Sequence, residues 1–514
     1  MSDAQRITVL VDEPIATISP YLHGTFAEHL GGCIYPGIWV GEESAIANTR
    51  GLRNDVIVAL RHLQIPVTRW PGGCFADHYH WRDGIGPRAE RPLRVNDQWG
   101  SVAEPNTFGT HEFIDLCRLI GTEPYIVGNV GSGTPGELHD WVEYCNFGGR
   151  SALADERGAN GAADPFNVRF WGIGNENWAC GGTMSAEHYA EEFCRFRTFV
   201  KSYADTNVHA VACGPNSKDW SWTQRFFERV ARYCDGHDRS PMLDSFAGHY
   251  YCGTAGEAAQ YSDAQWLELL AKARAIEGLI CGHRQIMDDY DPQRRIHFII
   301  DEWGTWHDGE DSDPLYMLYR QNTMRDALAC ALTLDVFHNH SDKIWMGNIA
   351  QTINVLQAAL LVMDDQCVKT PTYHAFDLYR PHQGGQALRT VNAGESISDG
   401  GASAEHCRDM YRDNSGFSLK VIEGSASVTG DTLCATVVNT DPNKPVELAL
   451  SLVGAKLGNV DTVTLAGADI HAHNTFEAPD TVTLAESKAV AVRGTELRIA
   501  LPAASATRVI GPLR

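Results

Sequence analysis

The sequence predicts a closed (β/α)8 TIM barrel followed by a smaller β-sandwich, and three observations carry that expectation. From about residue 20 to residue 380, short β-branched runs alternate with helical patterns, as parallel strands joined by crossover helices do. Eight such runs can be counted, the number that closes a barrel. After Pro381 the pattern turns into alternating strands separated by turn residues. The open doubly wound sheet competes with the barrel, but no G-x-G-x-x-G follows an early strand and no phosphate-loop motif occurs.

The eight runs are 21–26, 67–71, 124–130, 168–175, 209–214, 245–251, 296–303 and 343–349. Between them, Ser185 is an N-cap for a helix that buries Tyr189, Phe193, Phe196, Val200 and Tyr203, with Glu187 and Glu191 in its first turns. Residues 113–120 and 316–337 carry the same helical spacing. A stretch rich in Gly, Ser, Ala and Asp, 384–401, leads into strands at 432–438, 446–452, 462–465 and 496–501. The strand at 7–11 precedes the barrel and is expected to join the sandwich, because chain ends often meet. The expected division is residues 1–18 as N-terminal strand of the sandwich, 19–382 as barrel and 383–514 as C-terminal sandwich.

Composition narrows the partners. A chain of 514 residues with 43% hydrophobic and 21% charged residues is an ordinary globular protein with ample core. Its net charge of −23 repels phosphate backbones and anionic membranes, so neither nucleic acid nor membrane is expected as a partner and a neutral substrate is. MSDAQRITVLVDE lacks the basic and apolar regions of an export signal, and no run of about eighteen apolar residues occurs, which favours a cytoplasmic location. The fourteen cysteines are scattered singly, with no C-x-x-C pair and no H-E-x-x-H, so buried thiols are expected and neither a metal nor another cofactor. His78 and His80 beside Asp77 lack an evident third ligand and read as loop residues along a polar cleft. NVGSG (129–133) lacks the Lys-Ser/Thr of a phosphate loop and reads as a barrel loop.

Barrel enzymes place chemistry at the carboxyl ends of their strands. In FWGIGNENWACGG, Glu176 ends the fourth run, where an ionised carboxylate is costly unless the chemistry uses it. In IHFIIDEWGTWH, Glu302 ends the seventh. Two acidic residues at two strand ends suit glycoside hydrolysis, in which one carboxyl group donates a proton and the other attacks or activates water. Trp178, Trp303 and Trp306 stand nearby, with faces suited to stacking on sugar rings. Asp301 competes with Glu302: strict alternation lets only one of them face the bowl, and periodicity does not choose.

Several long motifs, in order, now bear on the family. FAEHLGGCIYPGIW, RWPGGCFADHYHWRDGIGPR, GNENWACGG, the DEW of the seventh run and YHAFDLYRPHQG together resemble glycoside hydrolase family 51, the retaining α-L-arabinofuranosidases. The resemblance spans the barrel and implies that Glu176 is the general acid/base and Glu302 the nucleophile. It implies that Asn175 bonds the sugar 2-hydroxyl, that Glu28 grips ring hydroxyls, that Arg69 supports the site and that Gln351 faces the sugar. In SFAGHYY, His249 and Tyr251 share a strand face; Tyr251 is expected to donate to the nucleophile, with Tyr250 the alternative if the register slips by one. Cys74 stands where many relatives carry Asn, and it reads equally as a substrate contact or as a small buried thiol.

The expected cycle is a double displacement that releases terminal L-arabinofuranose from arabino-oligosaccharides, with the two carboxyl groups about 5 Å apart. The alternatives are another retaining glycosidase on the same barrel, such as an endo-β-glucanase or a galactofuranosidase, and a carbohydrate-binding protein without catalysis. The resemblance also implies a homo-oligomer, as trimer, tetramer or hexamer.

Overall fold

A computed structural model describes residues 5–203, 206–234, 243–309, 311–398, 418–487 and 491–514. Eight parallel strands close a barrel, each paired with the next in the chain: Gly24–Phe26, Val67–Trp70, Glu123–Gly128, Phe170–Ile173, His209–Asn216, Ser245–Glu257, His297–Asp308 and Met346–Ala350. They are called the first to eighth strands below. Alternation sends one side-chain set inward, where Val67, Tyr125, Phe170, Val211, Ala247, Ile299 and Met346 fill the barrel beneath the site. The other set, including Trp171, Phe246, Phe298 and Ile300, packs outward into the main core around the barrel. The sixth and seventh strands overshoot the others and stay paired as far as Glu257 and Asp308.

The helices follow local chemistry. Ser185 caps Ala186–Arg197 by accepting from the His188 amide. Tyr189, Phe193 and Phe196 are buried along that helix, while Val200 and Tyr203 lie past its end. The expected helix at 316–337 is shorter and later, Met324–Asn339. Its start is fixed by Thr323 and Asp326 as a reciprocal capping pair, and Asp326 also accepts from Thr305 Oγ1 and His307 Nε2, both at 2.7 Å, binding the helix to the seventh strand. Upstream, Pro314–Tyr316 is a single 3-10 turn. No helix among the described residues is long and apolar enough to cross a membrane.

The expected sandwich is one ten-stranded sheet that curls around its own apolar core, which includes Ile7, Leu388, Leu433, Leu450, Ile499 and Val509. The N-terminal strand Gln5–Thr17 lies inside it, antiparallel to Gln386–Asn392 and parallel to Val446–Val453. The stretch at 384–401 is therefore no simple linker, since Gln386–Asn392 and Ser396–Ser398 are strands. Residues 399–401, and residues 240–242 before the sixth strand, lie outside the described residues.

Barrel and sheet meet across helix Met324–Asn339, which is buried from Met324 to His338. Polar groups are paired there. Asp335 accepts from Ser425 Oγ at 2.7 Å and Thr436 Oγ1 at 3.0 Å, His338 meets Ser425 at 3.1 Å and His23 at 3.1 Å, and His382 meets Ser427 at 2.8 Å. Burial lowers His23 and His382 to about 3 and holds His338 well below its ordinary value, whereas it raises Asp335 to about 7.

The signs differ. Each histidine binds its proton more readily unfolded than folded, so its contribution to stability is intact above about pH 6.5 and is lost as the pH falls toward 3. Asp335 works the other way, contributing most below its unfolded value of about 4 and losing that contribution as pH rises through about 7. Denaturant titrations between pH 7 and pH 4.5 should show stability falling on acidification, by up to about 1.4 kcal/mol per pH unit for each histidine and partly offset by Asp335. His382→Gln should make that slope shallower; an unchanged slope would rule out this role for the junction.

Candidate active site

The fourth strand ends at Ile173, and the chain turns at once: Gly174 has φ +81° and Glu176 φ +42°. The left-handed conformation is costly for a glutamate and persists only where its surroundings enforce it. Here the amides of Ala179 and Gly181 both donate to the Glu176 carbonyl. Asp77 fixes the same turn from the neighbouring loop: Oδ2 accepts from the Asn175 amide at 2.8 Å, and Oδ1 accepts from the amides of Val130 at 2.6 Å and Gly131 at 2.7 Å. One buried carboxylate thus ties together the loops after the second, third and fourth strands. Burial raises Asp77 to about 7, opposed by those amides.

The seventh strand breaks its own alternation. Gly248 pairs with Ile300 and His249 with Glu302, so Asp301 is an extra residue, a β-bulge against the sixth strand. Asp301 and Glu302 therefore both face the bowl, and the expectation that only one does is corrected. Trp303 consequently points outward, 1% exposed, stacked on Phe376 at 6.3 Å and edge-on to Phe337 at 5.5 Å, out of reach of a sugar. Trp178 and Trp306 remain partly buried, with Trp306 edge-on to Tyr251 at 5.1 Å.

Arg69, from the second strand, holds the centre. Nη1 donates to Glu302 Oε1 at 2.8 Å, Nη2 donates to Asn175 Oδ1 at 2.5 Å, and Nε lies 3.3 Å from Asp301 Oδ2. Tyr251 donates to the other carboxylate oxygen, Glu302 Oε2, at 2.8 Å, whereas Tyr250 faces outward and donates to the Lys272 carbonyl. His249 bridges the carboxylates, with Nδ1 2.8 Å from Glu176 Oε1 and Nε2 3.1 Å from Asp301 Oδ1. Burial works against its charge, but Glu302, Asp301 and Glu176 together raise it to about 10, so both ring nitrogens act as donors. Oxygens of Glu176 and Glu302 and a ring nitrogen of His249 lie within 4.8 Å of one another. Burial raises Glu176 above the ordinary carboxylate range, opposed by the His249 hydrogen bond and reinforced by the charge of Glu302.

Glu28, after the first strand, is fully engaged. Oε1 accepts from the Phe75 amide at 2.9 Å and from Trp99 Nε1 at 2.8 Å, and Oε2 accepts from Gln351 Nε2 at 3.1 Å. The glycines of RWPGG are needed for this approach: a Cβ on Gly72 would sit 2.3 Å from Glu28 Cγ, and one on Gly73 would sit 2.9 Å from Glu302 Oε1. Asn175 Nδ2 and Gln351 Oε1 are buried without a protein partner among the described residues, leaving one amide donor and one amide acceptor for a ligand.

Cys74 is no free thiol. It forms a disulfide with Cys180, 106 residues on, and the two Sγ atoms lie 3.8 and 3.6 Å from Glu176 Oε2. The structure therefore brings together Glu28, Arg69, Cys74, Asn175, Glu176, Tyr251, Glu302 and Gln351. His78 and His80 stand apart, exposed, with His80 hydrogen-bonded to Glu137 at 2.9 Å. Sequence reasoning missed Trp99, whose hairpin (Arg94–Asn96 with Val102–Glu104) carries no catalytic pattern, and Cys180, whose distance from Cys74 hides the pairing.

Known proteins match the chain over nearly its whole length. Residues 59–264 match the family description "Alpha-L-arabinofuranosidase 1 domain", and residues 301–505 match "Alpha-L-arabinofuranosidase C-terminal domain". The chain is 39% identical to an intracellular exo-alpha-L-arabinofuranosidase of Bacteroides ovatus, covering 97% of this chain and 94% of that protein. Its fold superposes on the GH51 arabinofuranosidase from Xanthomonas axonopodis pv. citri with a TM-score of 0.91 at 39% identity, covering 99% of both chains. It superposes on the alpha-L-arabinofuranosidase from Thermotoga maritima, solved as an arabinose complex, with a TM-score of 0.84 at 30% identity over 99% of both chains. Matched in sequence over nearly its full length and in fold throughout, the chain belongs to glycoside hydrolase family 51, the α-L-arabinofuranosidases.

Proposed function

We propose that this chain is an exo-acting, retaining α-L-arabinofuranosidase that releases terminal L-arabinofuranose from arabino-oligosaccharides. The observation that carries the reading is the separation of Glu176 and Glu302, whose oxygens approach within 4.8 Å. Retaining enzymes hold their carboxyl groups about 5 Å apart, whereas inverting enzymes leave room for a water at roughly 6.5–9.5 Å.

The two glutamates are equipped differently. Arg69 and Tyr251 each bond one oxygen of Glu302, holding the carboxylate in one orientation for attack on the anomeric carbon. Burial favours the protonated form of Glu176, as a general acid needs. In the first step Glu302 attacks as Glu176 gives its proton to the leaving oxygen, forming a glycosyl ester on Glu302. In the second step ionised Glu176 takes a proton from water, whose oxygen attacks the same carbon and releases the sugar and Glu302. Asn175 Nδ2 suits a sugar hydroxyl oxygen and Gln351 Oε1 a hydroxyl proton, while Glu28 holds Gln351 in place.

The naming of the Bacteroides ovatus relative as intracellular and exo-acting supports work inside the cell on chain ends. The assembly is proposed to be a trimer, tetramer or hexamer, to be counted by light scattering.

With nitrophenyl α-L-arabinofuranoside, Glu302→Ala should lower kcat by about 10⁴-fold or more, and the wild type should release the sugar first in its α configuration by NMR. A β product, or turnover confined to pyranosides, would overturn the assignment. Glu176→Ala should lose about 10²–10⁴-fold on poor leaving groups and regain turnover with azide as glycosyl azide. Tyr251→Phe should cost roughly 10- to 100-fold in kcat/KM, the loss of one hydrogen bond to a charged carboxylate. Because Glu176 must be protonated to act, kcat/KM should fall as pH rises through its raised pKa, and that alkaline limb should vanish in Glu176→Gln.

A further inference from the structure

The two oxygens of Glu176 meet different surroundings. Oε1 faces His249 Nδ1 at 2.8 Å, while the polar contacts of Oε2 among the described residues are the sulfurs of Cys180 at 3.6 Å and Cys74 at 3.8 Å. A disulfide sulfur carries no proton, so neither can donate to the carboxyl group; a thiol in the same place can. The single disulfide among the described residues is the one that touches the proposed proton donor. Both of its cysteines are half-buried rather than sealed in the core, which leaves the bond open to attack. In a reducing compartment, the setting proposed above, such a bond is of the exchangeable kind.

We propose that the Cys74–Cys180 disulfide is a redox-sensitive positioning element for Glu176, withholding sulfur-borne protons from its carboxyl group when closed and presenting S–H donors to Oε2 when reduced. This rests on the reading of Glu176 as general acid. The chemistry balances with a dithiol as reductant. One thiolate attacks Cys180 or Cys74 and breaks the S–S bond, and the second displaces the mixed disulfide. The dithiol leaves as its cyclic disulfide with two electrons fewer, and its two protons end on Cys74 and Cys180.

The effect is local to the carboxyl group. Asp77 bonds the Asn175 amide, and Ala179 and Gly181 bond the Glu176 carbonyl, so the turn is held by bonds that do not run through the sulfurs. The other groups that bear on Glu176 stay in place: His249 and Tyr251 from the sixth strand, Glu302 from the seventh, Arg69 from the second, and Cys213 from the fifth. Donation to Oε2 favours the ionised form, and any loosening of the loop hydrates it, which acts in the same direction. Reduction therefore makes Glu176 give up its proton at lower pH.

The test is the pH dependence of kcat/KM for the untreated, dithiothreitol-reduced and re-oxidised enzyme. The alkaline limb should move to lower pH by roughly half to one unit on reduction and return on re-oxidation. A limb that stays fixed, even with a lower overall rate, overturns the proposal. So does alkylation of Cys74 and Cys180 before any reductant is added, read by mass spectrometry. In Cys74→Ala/Cys180→Ala the limb should ignore dithiothreitol; if it still moves, another thiol is responsible and the proposal falls. Glu176→Gln separates the two readings: a limb that persists there removes the acid assignment itself, whereas its loss there with no movement in the wild type removes only the role of the disulfide.

Discussion

Everything in the bowl depends on one buried cation. Arg69 is 1% exposed, with its guanidinium near the faces of Phe26 and Tyr125 and its nitrogens on Glu302, Asp301 and Asn175. Adjacent carboxylates at the ends of strands would repel one another in so dry a place, and burying either alone would be costly. A planar fork with several donors answers both problems at once, which a lysine point charge would not. The second strand thereby dictates where the fourth and seventh strands may place their acidic groups.

The same economy of charge separates the two glutamates. Glu302 has both oxygens bonded by strong donors, whereas Glu176 has one oxygen toward His249 and the other toward sulfur. His249 is itself held charged by Glu302 and Asp301, so the bulged residue acts on Glu176 through the imidazole. Two residues of one type, a few ångströms apart, are thus made unlike by what surrounds them rather than by what they are.

Much of this was legible in the sequence. The strand count and the turn at Glu176 follow from periodicity, whereas Glu302 and Tyr251 are picked out by the family motifs, with Tyr250 left open, and the seventh strand runs on past Glu302 to Asp308. What escaped has identifiable physical causes. Asp301 and Trp303 were misjudged because one inserted residue inverts a two-residue period, and an insertion leaves no mark on composition. The helix expected from 316 begins at Met324 because its capping pair, Thr323 and Asp326, outweighs the apolar residues upstream. The disulfide joins loops that only barrel closure brings side by side, and Trp99 reaches Glu28 from a hairpin whose residues look like any surface turn.

The placement of strand Gln5–Thr17 between Gln386–Asn392 and Val446–Val453 bears on how the molecule is made. On the ribosome this segment emerges before the barrel and its partners after it, so the strand waits for neighbours that the whole barrel separates from it in sequence. Such distant pairing slows assembly and leaves an open sheet edge exposed meanwhile. The accessory sheet is in this sense a clasp, fastened by segments from before and after the barrel once the barrel between them has been made.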